Sequence, residues 1–295
     1  MNKSTSFLPE LQKATGHFDY PMTNDYMFRA LCQKNNKALT GLISALLRIP
    51  VEKIHSVVIT NPIVLGDACD DKEFRLDVRI VLNEKTIMNL EMQVSNLYDW
   101  PERSVSYLSC IYDSLFRGEE YANVKSAMHI GILDFTLFPE YPEFYASNMI
   151  MNEKTYRIYS DKFALNVLDL SKVELATDED KAWKLDYWAR LFKATTWEEI
   201  KMIASNDDYL KEASNTLYLL NEDFNVRERS RSRIEYYSVL DRYESMIERK
   251  DAEIRQLRAE QDREIAHRNS EIEQKDLEIQ QLYAEIERLK ANQRD

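Results

Sequence analysis

Asp77, Glu91 and Gln93 are the residues whose types and spacing can do chemistry. They stand in two segments, EFRLDVRIVL (73–82) and TIMNLEMQVS (86–95). In the first, Phe74, Leu76, Val78, Ile80 and Leu82 alternate with Arg75, Asp77 and Arg79; in the second, Met88, Leu90, Met92 and Val94 alternate with Asn89, Glu91, Gln93 and Ser95. A period of two predicts two strands, and the short connection Asn83-Glu84-Lys85 predicts an antiparallel hairpin. Pairing Leu82 with Thr86 keeps the loop at three residues, so that facing numbers sum to 168. An even sum leaves both apolar rows on one face. Asp77 then lies opposite Glu91, Arg75 opposite Gln93 and Arg79 opposite Asn89, with opposed Cβ atoms roughly 4.5–5.5 Å apart. Two carboxylates that close repel unless a proton or a cation sits between them. Mg²⁺ is suited to that place: it prefers oxygen ligands, can orient or deprotonate water, and can stabilise charge on a phosphoryl oxygen. The Gln93 amide can hold the water or a phosphate oxygen. The same alternation also fits an ordinary solvated strand face.

The elements that must position these residues follow from the flanking sequence. Asn24 to about Leu47 carries apolar positions at helical spacing and ends before Pro50. Ile54–Ile63 reads as a β-branched strand, and Pro101–Phe116 as a helix closed by Gly118. Lys125–Phe135, centred on HIGILDF, reads as a buried strand, with further strands near Phe144–Met151 and Phe163–Leu170. Helix, three strands, helix, strand is a mixed α/β order. After Pro142 neither glycine nor proline occurs, which makes the rest of the chain mostly helical.

Composition excludes several classes. The 295 residues carry 39 Lys+Arg against 51 Asp+Glu, net −12, so phosphate contacts must be local rather than a general basic surface. Cys32, Cys69 and Cys110 are odd in number and far apart, with no CxxC spacing, which argues against a disulfide framework and a thiolate zinc site. No apolar run resembles a signal peptide or a membrane span, so a soluble cytoplasmic protein is expected. His17, His55, His129 and His267 share no ligand spacing, and His129 reads as a core residue. The basic cluster RERSRSR (227–233) reads as a solvated helix start, with nucleic-acid contact as the alternative.

From about Ile234 to Leu289 the pattern becomes a heptad. Ile265, Ile272, Ile279 and Ile286 recur every seven residues, with Leu282 and Leu289 in the alternate row, where Arg268 and Lys275 hold the earlier places. Upstream, Leu240, Tyr243, Ile247, Ile254 and Leu257 continue the stripe, offset by an insertion of four between Ile254 and Ile265. A dimerising coiled coil is expected, with a long single helix as the alternative. The expected domains are a tail (1–20), a core (21–175), a helical extension (176–225) and the long helix (226–295).

Several blocks together resemble the PD-(D/E)XK nuclease family transposases, also described as recombination-promoting nucleases. They are TNDYMFRALC (23–32), RLDVRI (75–80), NLEMQVS (89–95), RSVSYLSCIYDSLFRGEEY (103–121) and HIGILDF (129–135), and the similarity spans roughly 20–205. The resemblance implies a restriction-endonuclease-like core, a mixed sheet flanked by helices, that cuts DNA with Mg²⁺ or Mn²⁺. It makes Asp77 and Glu91 metal ligands, with Asp25 of the D-x-x-F block as a third acid. Asp25 reads equally as a helix cap or dipole partner. Gln93 takes the place of the wider superfamily's lysine, which departs from a Lys-assisted mechanism. Arg103 and Tyr107 match an R-x-x-x-Y block and are candidates to touch a DNA phosphate; an arginine lying over a tyrosine is the alternative. The expectation is a DNA endonuclease dimerised through its coiled coil, since cutting both strands needs two sites. The rival is an inactive nuclease fold working as a scaffold.

Overall fold

The computed structural model describes residues 5–61, 78–112, 120–205 and 207–292. Asp77, Arg75, the first part of the strand expected from Phe74 and the end of the helix expected to reach Phe116 lie outside them. The chain forms two compact units, Met1–Tyr237 and Ser238–Asp295.

The first unit opens with α1 (Pro9–Lys13), α2 (Asp25–Lys34) and α3 (Asn36–Leu47). The expected 24–47 helical stretch is split because Asn35 ends one helix and caps the next, its side chain accepting from the Ala38 N–H. Arg48, left-handed at φ 54°, closes α3 two residues before Pro50. Strands β1 (Val57–Ile59), β2 (Val78–Leu82) and β3 (Thr86–Gln93) follow, then α4 (Trp100–Tyr112), β4 (Ser126–Leu133), β5 (Tyr145–Met151) and β6 (Ile158–Asp169). Among the described residues these make one six-stranded sheet in the order β1-β2-β3-β4-β6-β5. It is mixed: β3, β4 and β6 run parallel, while β1–β2, β2–β3 and β5–β6 are antiparallel.

The hairpin register is the one the sequence predicts. Leu82 pairs with Thr86, Arg79 with Asn89 and Val78 with Leu90. The turn is made by Asn83 and Glu84, both left-handed at φ 49° and 59°. Asn83 also ties the turn to the approach to β1: its Oδ1 accepts from the His55 and Ser56 N–H groups and its Nδ2 donates to the Lys53 carbonyl. Strand β6 begins five residues before the expected Phe163, because its outer end pairs with β5 across an irregular register at Ile150 and Met151.

Helices α5 (Asp178–Ala182), α6 (Leu185–Lys193), α7 (Trp197–Ala204) and α8 (Asp208–Glu222) complete the layer over one sheet face. Capping boxes start two of them, Thr177 with Asp180 and Thr196 with Glu199. The main core joins Val78, Ile80, Met88, Leu90, Met92, Ile130 and Ile132 of the sheet to Met27, Phe28, Leu31, Leu42, Trp188, Phe192 and Leu217 of the helices. The final helix, α9 (Phe224–Asn292), begins in this unit, where Val226, Ser230 and Arg233 are buried. The second unit continues α9 as a charged helix with Lys250–Glu253 and Arg268–Glu264 ion pairs along its surface. No helix among the described residues is long and apolar enough to cross a membrane.

Candidate active site

Strand β3 lies in the middle of the sheet and presents two unlike faces. Met88, Leu90 and Met92 enter the main core, whereas Asn89, Glu91 and Gln93 point the other way. That second face is roofed by α4, whose buried stripe is Trp100, Ser104, Leu108 and Ile111. Leu108 and Ile111 pack on Ile87 and Ala127, and Trp100 packs on Leu133 and Val167. Asn89, Glu91 and Gln93 are therefore only 1%, 6% and 5% exposed. The polar row is not a solvated strand face; it is an interior polar layer, which must be hydrogen-bonded or paired to be tolerated.

Its partners come from α4 and β4. Arg103 Nη2 donates to Glu91 Oε1 at 2.5 Å, and its guanidinium carbon lies 5.6 Å from the Tyr107 ring centre. Burial, the largest influence, would lower the Arg103 pKa, but Glu91, Tyr107 and Asp99 together outweigh it and the net direction is upward. His129, on β4 directly beside Asn89, is fully buried, with its ring 5.5 Å from Trp100 and 5.9 Å from Tyr107. Asn89 Nδ2 lies 3.2 Å from His129 Nδ1. An amide nitrogen can only donate, so Nδ1 accepts and the ring hydrogen sits on Nε2, 3.6 Å from Glu91 Oε2. Gln93 Nε2 donates to the Ser95 carbonyl at 3.0 Å, which leaves the amide oxygen as the atom it can offer a ligand.

Two consequences are measurable. Burial, and secondarily Arg103, push the His129 pKa from 6.5 down to about 4. Below pH 6.5 the unfolded histidine takes up a proton that the folded one refuses, so stability falls as pH drops from 6.5 and the loss levels off below about 4. In metal-free protein, urea titrations at pH 7 and pH 4.5 should show His129→Gln losing about 2 kcal/mol less than wild type over that interval. The second concerns Gly131, which pairs with Glu91 across β3 and β4. A Cβ there would come within 2.1 Å of Trp100 Cζ2, so the indole lies against bare backbone. Gly131→Ala should cost about 1–3 kcal/mol in the same denaturation assay, by forcing α4 off the strand.

Asp25 keeps other company. It is the first residue of α2, behind the Asn24 cap, and is 4% exposed. Arg233 of α9 donates to it through Nε, at 3.0 Å to each carboxylate oxygen, and through Nη2 to Oδ2; the Tyr237 hydroxyl donates to Oδ2 at 2.7 Å. Burial would lower the Arg233 pKa, yet Asp25 more than compensates and it rises; burial first, then Asp25, raises that of Tyr237. The structure thus brings Glu91, Gln93, Arg103 and Tyr107 together and sets Asp25 in a clasp between α2 and α9. The basic cluster is largely committed too: Arg227 pairs with Asp19, Arg231 with Glu228 and Glu235, and Arg233 with Asp25.

Sequence reasoning missed the roles of Asn89, His129, Arg233 and Arg29. Arg29 is 1% exposed and donates to the Asn61 carbonyl. For His129 a signal existed: His129 and Gly131 break an apolar strand at alternate positions, as a polar row would. Among the described residues no group of three or more His, Cys, Asp or Glu could hold a metal ion.

A mixed sheet with this order, covered by helices and carrying an acidic residue and a glutamine two apart on a central strand, is a restriction-endonuclease-like α/β fold. A family model described as PD-(D/E)XK nuclease family transposase matches residues 22–250, and the chain belongs to that family. No curated protein and no solved structure matches it. Family membership assigns it the nuclease or transposase-like class.

Proposed function

We propose that the protein is a divalent-metal-dependent DNA endonuclease of the recombination-promoting type, working in the cytoplasm. The observation that carries this reading is the buried Glu91 side chain on β3, with Gln93 beside it and the Arg103 guanidinium at its carboxyl group. The donors fit a hard cation in kind, a carboxylate and an amide oxygen, though two donors do not complete a site. The reading takes the remaining carboxylate from Asp77. Facing numbers summing to 168 hold throughout the described part of the hairpin, which is the register that role requires. Mg²⁺ or Mn²⁺ held there would supply the charge that activates water and steadies the phosphoryl oxygens. Gln93 would orient the water or a phosphate oxygen, and Arg103 with Tyr107 would form the edge that meets the DNA backbone. Asp25 takes no part, because Arg233 and Tyr237 already hold its carboxylate.

A plasmid-nicking assay tests it. Purified protein with Mn²⁺ or Mg²⁺ should convert supercoiled DNA to nicked and linear forms, and chelation should stop the reaction. Intact folded protein that leaves DNA uncut at millimolar metal would sink the enzyme. The rival, an inactive nuclease fold used as a scaffold, is favoured by one specific contact: Arg103 already occupies a Glu91 oxygen that a cation would need. In either reading we propose that the chain self-associates through Ser238–Asp295.

A further inference from the structure

The second unit is a single helix with Lys250–Glu253 and Arg268–Glu264 ion pairs along its surface, while its isoleucines stand exposed. Ile247, Ile254, Ile265, Ile272, Ile279 and Ile286 are each 45–60% exposed. All six fall on one heptad position, a, on either side of the four-residue insertion. Position d carries Tyr243, Lys250, Leu257, Arg268, Lys275, Leu282 and Leu289. Isoleucine at a with leucine at d favours two strands over three or four.

We infer that the occupant of this stripe is a second copy of the same helix, parallel and in register. The inference rests on the self-association proposed above and is independent of whether DNA is cut. Its ground is the placement of the cations. In a parallel pair each a residue meets its own counterpart, so all six isoleucine layers stay apolar. Lys250, Arg268 and Lys275 are confined to the d layers, where each meets its own copy and where Asp251, Asn269 and Asp276 occupy the adjoining e positions of the second copy. Glu253 at g meets Arg258 at e, and Glu271 with Asp276 is the single like-charged g–e pair. The insertion between Ile254 and Ile265 also lies opposite itself, so both strands unwind at the same level.

An antiparallel pair sets each a against a d. Overlapping the whole unit places Ile272 against Lys250, Ile254 against Arg268 and Ile247 against Lys275, and brings Glu271 to Glu253. Confining the overlap to 265–289 places Ile279 against Lys275, Ile286 against Arg268 and Glu278 against its own copy. Either way a cation is driven into isoleucine layers that parallel pairing keeps clean.

The test uses the full chain with Cys69 and Cys110 changed to Ser and one new cysteine, oxidised while its mass is followed by sedimentation. Ile279→Cys should cross-link to a covalent dimer about tenfold more efficiently than Ser270→Cys, which sits on the outer face, where Cβ atoms are too far apart for a disulfide. A sedimenting dimer in which Ile279→Cys cross-links no better than Ser270→Cys would overturn the parallel arrangement alone. If instead a mixture of Ile279→Cys and Tyr243→Cys chains yields the mixed disulfide, the pair is antiparallel. A chain that sediments as a monomer at tens of micromolar would overturn the self-association as well.

Discussion

Glu91→Gln should lower Mn²⁺-dependent plasmid nicking by about a thousandfold or more, with Asp77→Asn doing the same. The substitution keeps the size and hydrogen-bonding atoms of the side chain but removes the only charge that the described part of the polar row offers a cation. Losing a metal's stabilisation of a phosphoryl transition state costs several kcal/mol, and each 1.36 kcal/mol is a factor of ten. The fold should survive with a smaller loss, about 1–3 kcal/mol, because Arg103 exchanges an ionic acceptor for a neutral one. Gln93→Ala should cost less activity, about ten- to a hundredfold, since it removes positioning and no charge. Equal nicking by wild type, Glu91→Gln and Asp77→Asn would point to a contaminating nuclease; without wild-type nicking the scaffold reading stands.

The second large effect is on stability. Asp25→Ala leaves the Arg233 guanidinium in a nearly closed site with Tyr237 as its remaining partner in the clasp, and Arg233→Ala leaves the carboxylate facing Tyr237. Removing one member of a buried ion pair typically costs about 3–5 kcal/mol, so each single change should lower the urea midpoint strongly. The double change should cost much less than the sum, because no orphaned charge remains. Were Asp25 a metal ligand instead, Asp25→Ala would weaken Mn²⁺ binding and Arg233→Ala would leave stability nearly unchanged. Additive losses in the cycle would argue against the clasp.

How much of this was legible beforehand depended on how local the cause is. The register of β2 on β3 is set by two alternating rows and a short turn, all within 78–93, and the sequence contains everything needed to derive it. The split between α2 and α3 is equally local, written in the Asn35 side chain. The burial of Asn89, Glu91 and Gln93 is not local, because it depends on α4 folding back as the crossover between parallel strands. Alternation alone therefore favours a solvated face. The Asp25–Arg233 contact joins residues 208 apart, and no spacing rule reaches across that distance. The apolar run around His129 places it in the core, where it lies, but that its Nε2 hydrogen faces Glu91 only the β3–β4 pairing reveals. The long helix was visible in its heptads.

The turn at Asn83 and Glu84 holds the length of chain between β2 and β3 fixed. Side chains of a strand alternate, so deleting or adding one residue there exchanges inside for outside along one whole arm of the hairpin. Val78, Ile80 and Leu82 would leave the core, and Arg79 and Val81 would replace them. Tolerance at this loop is thus a matter of arithmetic more than of chemistry: Glu84 can be replaced by Gly, Asn or Asp, which take its left-handed backbone angles, whereas a one-codon indel would dismantle the hydrophobic layer and the polar row in a single step.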